Sequence, residues 1–130
     1  TPFARAFHFP GKDPAYYITS TQDAGLTFLA TQPRGIVLGD YPTGSMVSWR
    51  TPHLPYVAHS FLTINFHGKR EEVANWFDPA TSISEKIQFL EEHHISYVFV
   101  GPEELKLGYV PSSLGLIEIF HQGNVTIYRV

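Results

Sequence analysis

The stretch SISEKIQFLEEHHISYVFVGPEE, Ser82 to Glu104, decides the fold class, because it reads as one helix feeding one buried strand. Ser82 followed by Glu85 has the spacing of a capping box, in which two side chains satisfy orphan backbone N–H groups at a helix start. Ile83, Ile87, Leu90 and His94 then recur on a single helical face. Beyond Ile95 and Ser96, the run Tyr97-Val98-Phe99-Val100 is aromatic and β-branched with no polar alternation, as expected of a strand covered on both sides. Gly101-Pro102 stops it, and Glu103-Glu104 reads as the solvated start of a following helix.

Working outward, the same unit recurs. Ser20 and Asp23 start a helix that places Leu26, Leu29 and Ala30 on one side, and Pro33-Arg34-Gly35 ends it. Residues 36–39 are a short buried strand, followed by a polar loop, Asp40 to Ser45, and a helical turn over 46–50. Pro52 and Pro55 break the chain ahead of a second strand over 56–59. The segment 60–68 reads equally as a strand or as a loop over the site. Lys69 to Phe77 is helical, with Val73, Trp76 and Phe77 facing inward. At the far end Gly123-Asn124 is a two-residue turn between apolar runs at 116–121 and 125–130, which predicts a hairpin. Strands 36–39, 56–59 and 97–100 are joined by connections long enough for crossovers, so they are expected to be parallel. The expectation is an α/β fold: a small three-layer domain with a mainly parallel sheet and a C-terminal antiparallel β-hairpin, over residues 20–130. Residues 1–19, with three prolines and repeated aromatics, read as an extended connector. Its rings (Phe3, Phe7, Phe9, Tyr16 and Tyr17) are expected to cover either the domain or a lipid headgroup layer.

Composition narrows the function. The chain has 130 residues, enough for one sizeable core. Charged residues make up 16%, against ~25% in typical soluble domains. A net charge of -3 without a long basic run argues against nucleic acid as the partner. No cysteine is present, which excludes disulfides and thiolate metal sites. No uninterrupted apolar run approaches the ~18 residues of a bilayer span. The start at Thr1 rather than Met is what an excised or processed chain would show.

Seven histidines invite a metal hypothesis, but His93 and His94 are adjacent and point to different helix faces, and His53, His59 and His67 have no ligand spacing. His94 reads instead as packed at the end of its helix. No metal site and no cofactor are expected. Asp40, Thr43, Ser45, His59 and Thr63 all follow strands expected to be parallel, the position of the ligand crevice in open α/β sheets. They read as a polar binding crevice, fit to hydrogen-bond a sugar or another polar acceptor. Asp40, Ser45 and His59 also have the residue types of a hydrolase triad, without the Gly-x-Ser-x-Gly elbow. Each of these residues equally serves as a cap for its own loop. Gly39 to Ser45 lacks a dinucleotide fingerprint. Asn124-Val125-Thr126 has the form of a glycosylation sequon inside a tight turn.

Several stretches in series carry a family resemblance: Ile36-Val37-Leu38 with Thr43-Gly44, Tyr56-Val57-Ala58-His59 with Thr63, Lys69 to Phe77, Phe89-Leu90, Ile95 to Glu104, and Gly123 to Val130. Over residues 20–130 the chain resembles the C-terminal soluble domain of bacterial polytopic membrane proteins of the glycosyltransferase C superfamily, the dolichyl-phosphate-mannose-protein mannosyltransferase-like group. Ala58 stands where relatives carry Gly before the histidine. The resemblance implies a transmembrane region of the same polypeptide as partner and an extracytoplasmic location. It also implies catalysis by an acidic residue between early membrane helices, on a lipid-linked sugar donor. That segment is not in this sequence, so no catalytic residue carries over and the domain is expected to be an accessory one. The residues alone leave open a free-standing α/β ligand-binding module, a small hydrolase, or an interaction domain of some other membrane protein. Elemental analysis of the purified chain is expected to find no stoichiometric transition metal; zinc at one equivalent would overturn that reading.

Overall fold

The computed structural model describes residues 4–7, 16–58 and 63–130. The expected connector contributes β1 (Ala4–Phe7) and β2 (Tyr16–Thr19), paired antiparallel as a two-stranded ribbon. The side chains of Phe3, Phe7, Phe9, Tyr16 and Tyr17, on which the covering role depends, lie outside the described part. Ile18 is buried in the core and fastens the ribbon to the domain.

The domain itself is α1 (Ser20–Ala30), β3 (Ile36–Leu38), α2 (Tyr41–Arg50), β4 (Leu54–Pro55), α3 (Phe66–Phe77), α4 (Ile83–Glu92), β5 (Ile95–Val100), α5 (Pro102–Leu105), a 3-10 turn at Ser112–Leu114, β6 (Ile117–Gln122) and β7 (Val125–Arg129). The strands form one mixed sheet in the order β4-β3-β5-β7-β6. The β4-β3 and β3-β5 pairings are parallel; the β6-β7 hairpin adds two antiparallel pairings. One face of the sheet packs Leu26, Leu29, Met46 and Val47 of α1 and α2 against Val37, Tyr97, Phe99, Val125 and Ile127. The other packs Val73, Trp76, Phe77 and Leu90 of α3 and α4 against Leu38, Val98 and Val100. These are the three layers the sequence predicts.

β5 begins earlier than expected because of a bulge. Ile36 pairs with Ile95 but Val37 pairs with Tyr97, so Ser96 is an extra residue. The bulge reverses the pleat, which places Ile95 in the α3/α4 core and Tyr97 in the α1/α2 core. Gly35 lies against Ser96 with no room for a β-carbon. Next to this crossing His53 is buried, accepting from the Gly35 N–H on Nδ1 at 3.1 Å and donating from Nε2 to the Leu29 carbonyl at 2.6 Å. It pins the end of α1 to the start of β3 as a neutral imidazole with one fixed tautomer.

Three expectations are corrected. The polar loop 40–45 is the first half of α2. Asp40 is its N-cap, and Pro42 sits in the first turn, where its missing N–H costs nothing. The helix forms despite poor propensity because Gly44 lets it press onto the Val57 carbonyl. The second strand lies at Leu54–Pro55 rather than 56–59, held by Leu54 N–H to the Gly35 carbonyl and Tyr56 N–H to the Val37 carbonyl. In α4, capped by Ser82 as expected, the buried face is rotated. Lys86 and Leu90 are buried while Ile87 is 38% exposed. The Trp76 indole N–H donates to the Lys86 carbonyl at 3.1 Å, and the Lys86 ammonium lies 5.7 Å from the same ring, so an aliphatic lysine stem takes the place expected of Ile87. Burial holds the Lys86 amine below its usual value. His94 is exposed and left-handed at φ 53°, ending the helix. His93 packs instead, its ring 4.4 Å from Phe89 and 5.0 Å from Tyr56.

The rotation has a direct check. Leu90→Ala should destabilise the chain by ~2–5 kcal/mol, as large-to-small core substitutions do, and Ile87→Ala by less than ~1 kcal/mol. Denaturant melts showing equal losses at both positions would contradict the face assigned here.

Candidate functional site

The parallel strands β3 and β5 lie side by side, and their carboxyl ends lead away to opposite faces of the sheet. After β3 the chain enters α2, whose Met46 and Val47 lie in the α1 side of the core. After β5 it enters α5 and then packs Leu107, Val110 and Leu114 on the α3/α4 side. This divergence makes a topological switch point, the place where open α/β sheets keep their ligand crevice.

Glu104 fills it. Its side chain is fully buried. One carboxyl oxygen accepts from the Asp40 N–H at 2.7 Å, at the exit of β3, and the other from the Gly101 N–H at 2.9 Å, at the exit of β5. Burial pushes its carboxyl up to about 7, against the opposing effect of the nearby Thr43 hydroxyl and of the hydrogen bonds from the Asp40 and Gly101 N–H groups. Thr43 is close enough to favour the ionised carboxylate, but its buried hydroxyl oxygen makes no hydrogen bond of good geometry. The solvated helix start expected at Glu103-Glu104 is therefore corrected at Glu104. Glu104 stands three residues after Gly101 and accepts its N–H as the acidic half of a capping box does, a spacing visible in the sequence although Gly101 lacks the side chain that completes the motif.

Outside this plug lies a cleft of about 370 Å³ lined by Asp40, His67, Arg70, Glu71, Ala74 and Leu107. Asp40 reaches it from the start of α2, with its carboxylate accepting from the Tyr41 N–H at 2.8 Å. Burial raises the Asp40 carboxyl, while the Tyr41 N–H and the Arg70 guanidinium pull it down. Arg70 stacks over the Tyr41 ring at 4.6 Å, and Phe66 meets that ring edge-on at 5.5 Å. The result is a carboxylate and a guanidinium in one cleft, the guanidinium held against an aromatic ring, with an imidazole and a second carboxylate in the same lining. Such a surface offers paired donors and acceptors to a polar, hydroxyl-bearing ligand. Arg70 and Glu71 were invisible as site residues in the sequence, where they read as the wet start of a helix, and His67 fell in the segment 60–68 that read equally as a strand or a loop.

The other expected residues are spread out. Thr43 is buried in α2 beside Glu104. Ser45 is buried on the same helix with its hydroxyl donating to the Tyr41 carbonyl at 3.0 Å, which commits the group to the backbone and takes it out of any triad with Asp40. Thr63 accepts from the Ala58 N–H at 2.9 Å and lines a second cleft of about 400 Å³, together with Ser48, Pro55, Tyr56 and Lys69. His59 lies outside the described residues. Among the described residues, no group of three or more His, Asp or Glu is arranged to hold a metal ion, and no helix is long and apolar enough to cross a membrane.

With this geometry in hand the chain can be set beside known proteins. No family model and no curated protein matches its sequence. Among solved structures, it is similar to the C-terminal globular domain of an oligosaccharyltransferase (AfAglB-S2) from Archaeoglobus fulgidus. The TM-score is 0.58 at 18% identity, over 85% of this chain and 96% of that one. The two share a fold. The α/β architecture with its five-stranded mixed sheet and terminal hairpin is thus one that an oligosaccharyltransferase carries as its C-terminal globular domain.

The buried carboxyl gives a pH dependence of known sign. Because the folded value, about 7, lies above the ordinary 4.5, the stability contributed by Glu104 is complete below that ordinary value and is lost as pH rises through the folded one. A shift of this size corresponds to ~3 kcal/mol. Urea melts should show wild type losing stability between about pH 5 and about pH 8, and Glu104→Gln losing less over the same interval by an amount of that order. An identical decline in both proteins would refute the assignment.

Proposed function

We propose that this chain is the extracytoplasmic accessory domain of a membrane glycosyltransferase, joined to a transmembrane region of the same polypeptide and not catalytic by itself. The observation that carries the reading is the shared fold with an oligosaccharyltransferase's C-terminal globular domain, which this chain matches over nearly that domain's whole length. It agrees with the resemblance of residues 20–130 to the soluble domain of glycosyltransferase C proteins of the mannosyltransferase-like group. In this role the domain presents the Asp40 cleft to a sugar or another polar acceptor. Asp40 and Arg70 orient the ligand through hydrogen bonds, and the lipid-linked donor chemistry belongs to the membrane part. Of the five residues expected from the sequence, Asp40 is the one that lines this cleft; Thr43 and Ser45 are buried in α2 and Thr63 lines the second cleft.

Two measurements on the full-length protein test this. Glu91→Cys on the exposed face of α4 adds a label site to a stretch without cysteine of its own, and its labelling is read against the full-length protein without that substitution. A membrane-impermeant maleimide should label it from outside intact cells; protection there, with labelling only after lysis, would reverse the proposed topology. Asp40→Asn keeps an N-cap of equal quality. It should lower transfer to acceptor on the order of tenfold, equivalent to ~1.4 kcal/mol, with a melt within ~0.5 kcal/mol of wild type. Full activity would remove the cleft from the mechanism.

A further inference from the structure

The two walls of the Asp40 cleft meet at one residue. Glu104 accepts from the Asp40 N–H through its side chain at 2.7 Å, and through its carbonyl from the Leu107 N–H at 2.9 Å and the Gly108 N–H at 3.2 Å. Asp40 and Leu107 both line the cleft. The second carboxyl oxygen ties the same side chain to the Gly101 N–H, at the end of the central strand. Two backbone N–H groups and a buried hydroxyl thus converge on a point at the switch of the sheet, the arrangement that loops of open α/β sheets offer to bound anions. Here the anion is supplied by the chain.

We propose that Glu104 is the internal ligand of this switch-point site and the positioning residue of the cleft: ionised, it clamps the Asp40 wall to the Leu107 wall, and protonated, it releases the Asp40 backbone, so that the shape of the cleft follows its protonation. A carboxylate accepts an N–H about twice as strongly as a neutral carboxyl does. When a proton from solvent binds, the new O–H has an acceptor waiting in the Thr43 hydroxyl oxygen, which is buried without a partner. The carboxyl therefore turns from a bridge between β3 and α5 into a donor toward α2. Burial places this change near neutral pH. The charged groups around it are Asp40 at the start of α2, Arg70 and Glu71 on α3, and Glu103 and Lys106 on its own segment; Arg70, Glu103 and Lys106 also act on the Asp40 carboxyl. His67 lines the cleft as well, so the test must separate it from Glu104. The proposal rests on the functional reading above only in calling the cleft a binding site.

The test is an NMR titration of the 130-residue chain from about pH 5 to about pH 9, following side-chain carboxyl carbons and backbone amides. The Glu104 carboxyl is expected to titrate with a midpoint near 7, and the amides of Asp40, Gly101, Leu107 and Ala74 should shift with that same midpoint. His67→Gln should leave the transition in place and Glu104→Gln should abolish it. The proposal is overturned if the Asp40 amide stays still while Glu104 titrates, if the transition disappears with His67, or if Glu104 does not titrate in this range. Should Glu104→Gln fail to fold, the common midpoint of the Glu104 carboxyl and the Asp40 amide in wild type decides the matter alone. These signals report wall geometry and need no transferase assay, so loss of the accessory-domain reading would leave them unchanged.

Discussion

The structure depends on β5. It is the one strand that is bonded in parallel to β3 and antiparallel to β7, so it joins the crossover half of the domain to the hairpin half. Its side chains alternate into two separate cores, Val98 and Val100 on one side and Tyr97 and Phe99 on the other. A strand buried on both faces has no place for a polar residue, which is why its sequence is aromatic and β-branched throughout. Ser96 escapes that rule through the bulge, where its carbonyl accepts from the Val130 N–H at 3.0 Å and closes the terminal strand onto the sheet.

From β5 the site follows by short steps. Strand β5 ends at Gly101, Pro102 starts α5 without needing an N–H, and Glu104 folds back over the strand end to take the Gly101 N–H. The same carboxylate reaches the Asp40 N–H, and Asp40 starts α2. A buried carboxylate without partners would be costly; here two backbone donors that also need partners offset part of that cost. Stability and cleft geometry are consequently coupled through one side chain, and Asp40, the cleft residue at the start of α2, owes its backbone position to it.

Much of this was readable in the residues. The helix-to-strand step at 82–100, the inward face of Val73, Trp76 and Phe77, the hairpin around Gly123-Asn124 and the three layers follow from periodicity and turn chemistry, because each is decided locally. What was hidden is decided by contacts distant in sequence. Helix α2 looks like a loop because Pro42, Thr43 and Gly44 are poor helix formers, and only the approach to Val57 makes Gly44 an asset. The face of α4 is set by the Trp76 indole reaching the Lys86 carbonyl, which no heptad count foresees. The cleft itself joins Asp40 to Arg70 and Leu107 across three elements, and periodicity sees one element at a time.

The two outer strands of the sheet differ in length but share a property. On β4, Pro55 removes a backbone donor and leaves a strand of two residues. On β6, the pairing with β7 slips between Glu118 and Phe120, so Ile119 is extra and the rim is kinked. An unbroken row of free N–H and C=O groups at either margin would recruit a strand from a neighbouring copy. Both margins are built to refuse such a strand, so the sheet ends where this chain ends it.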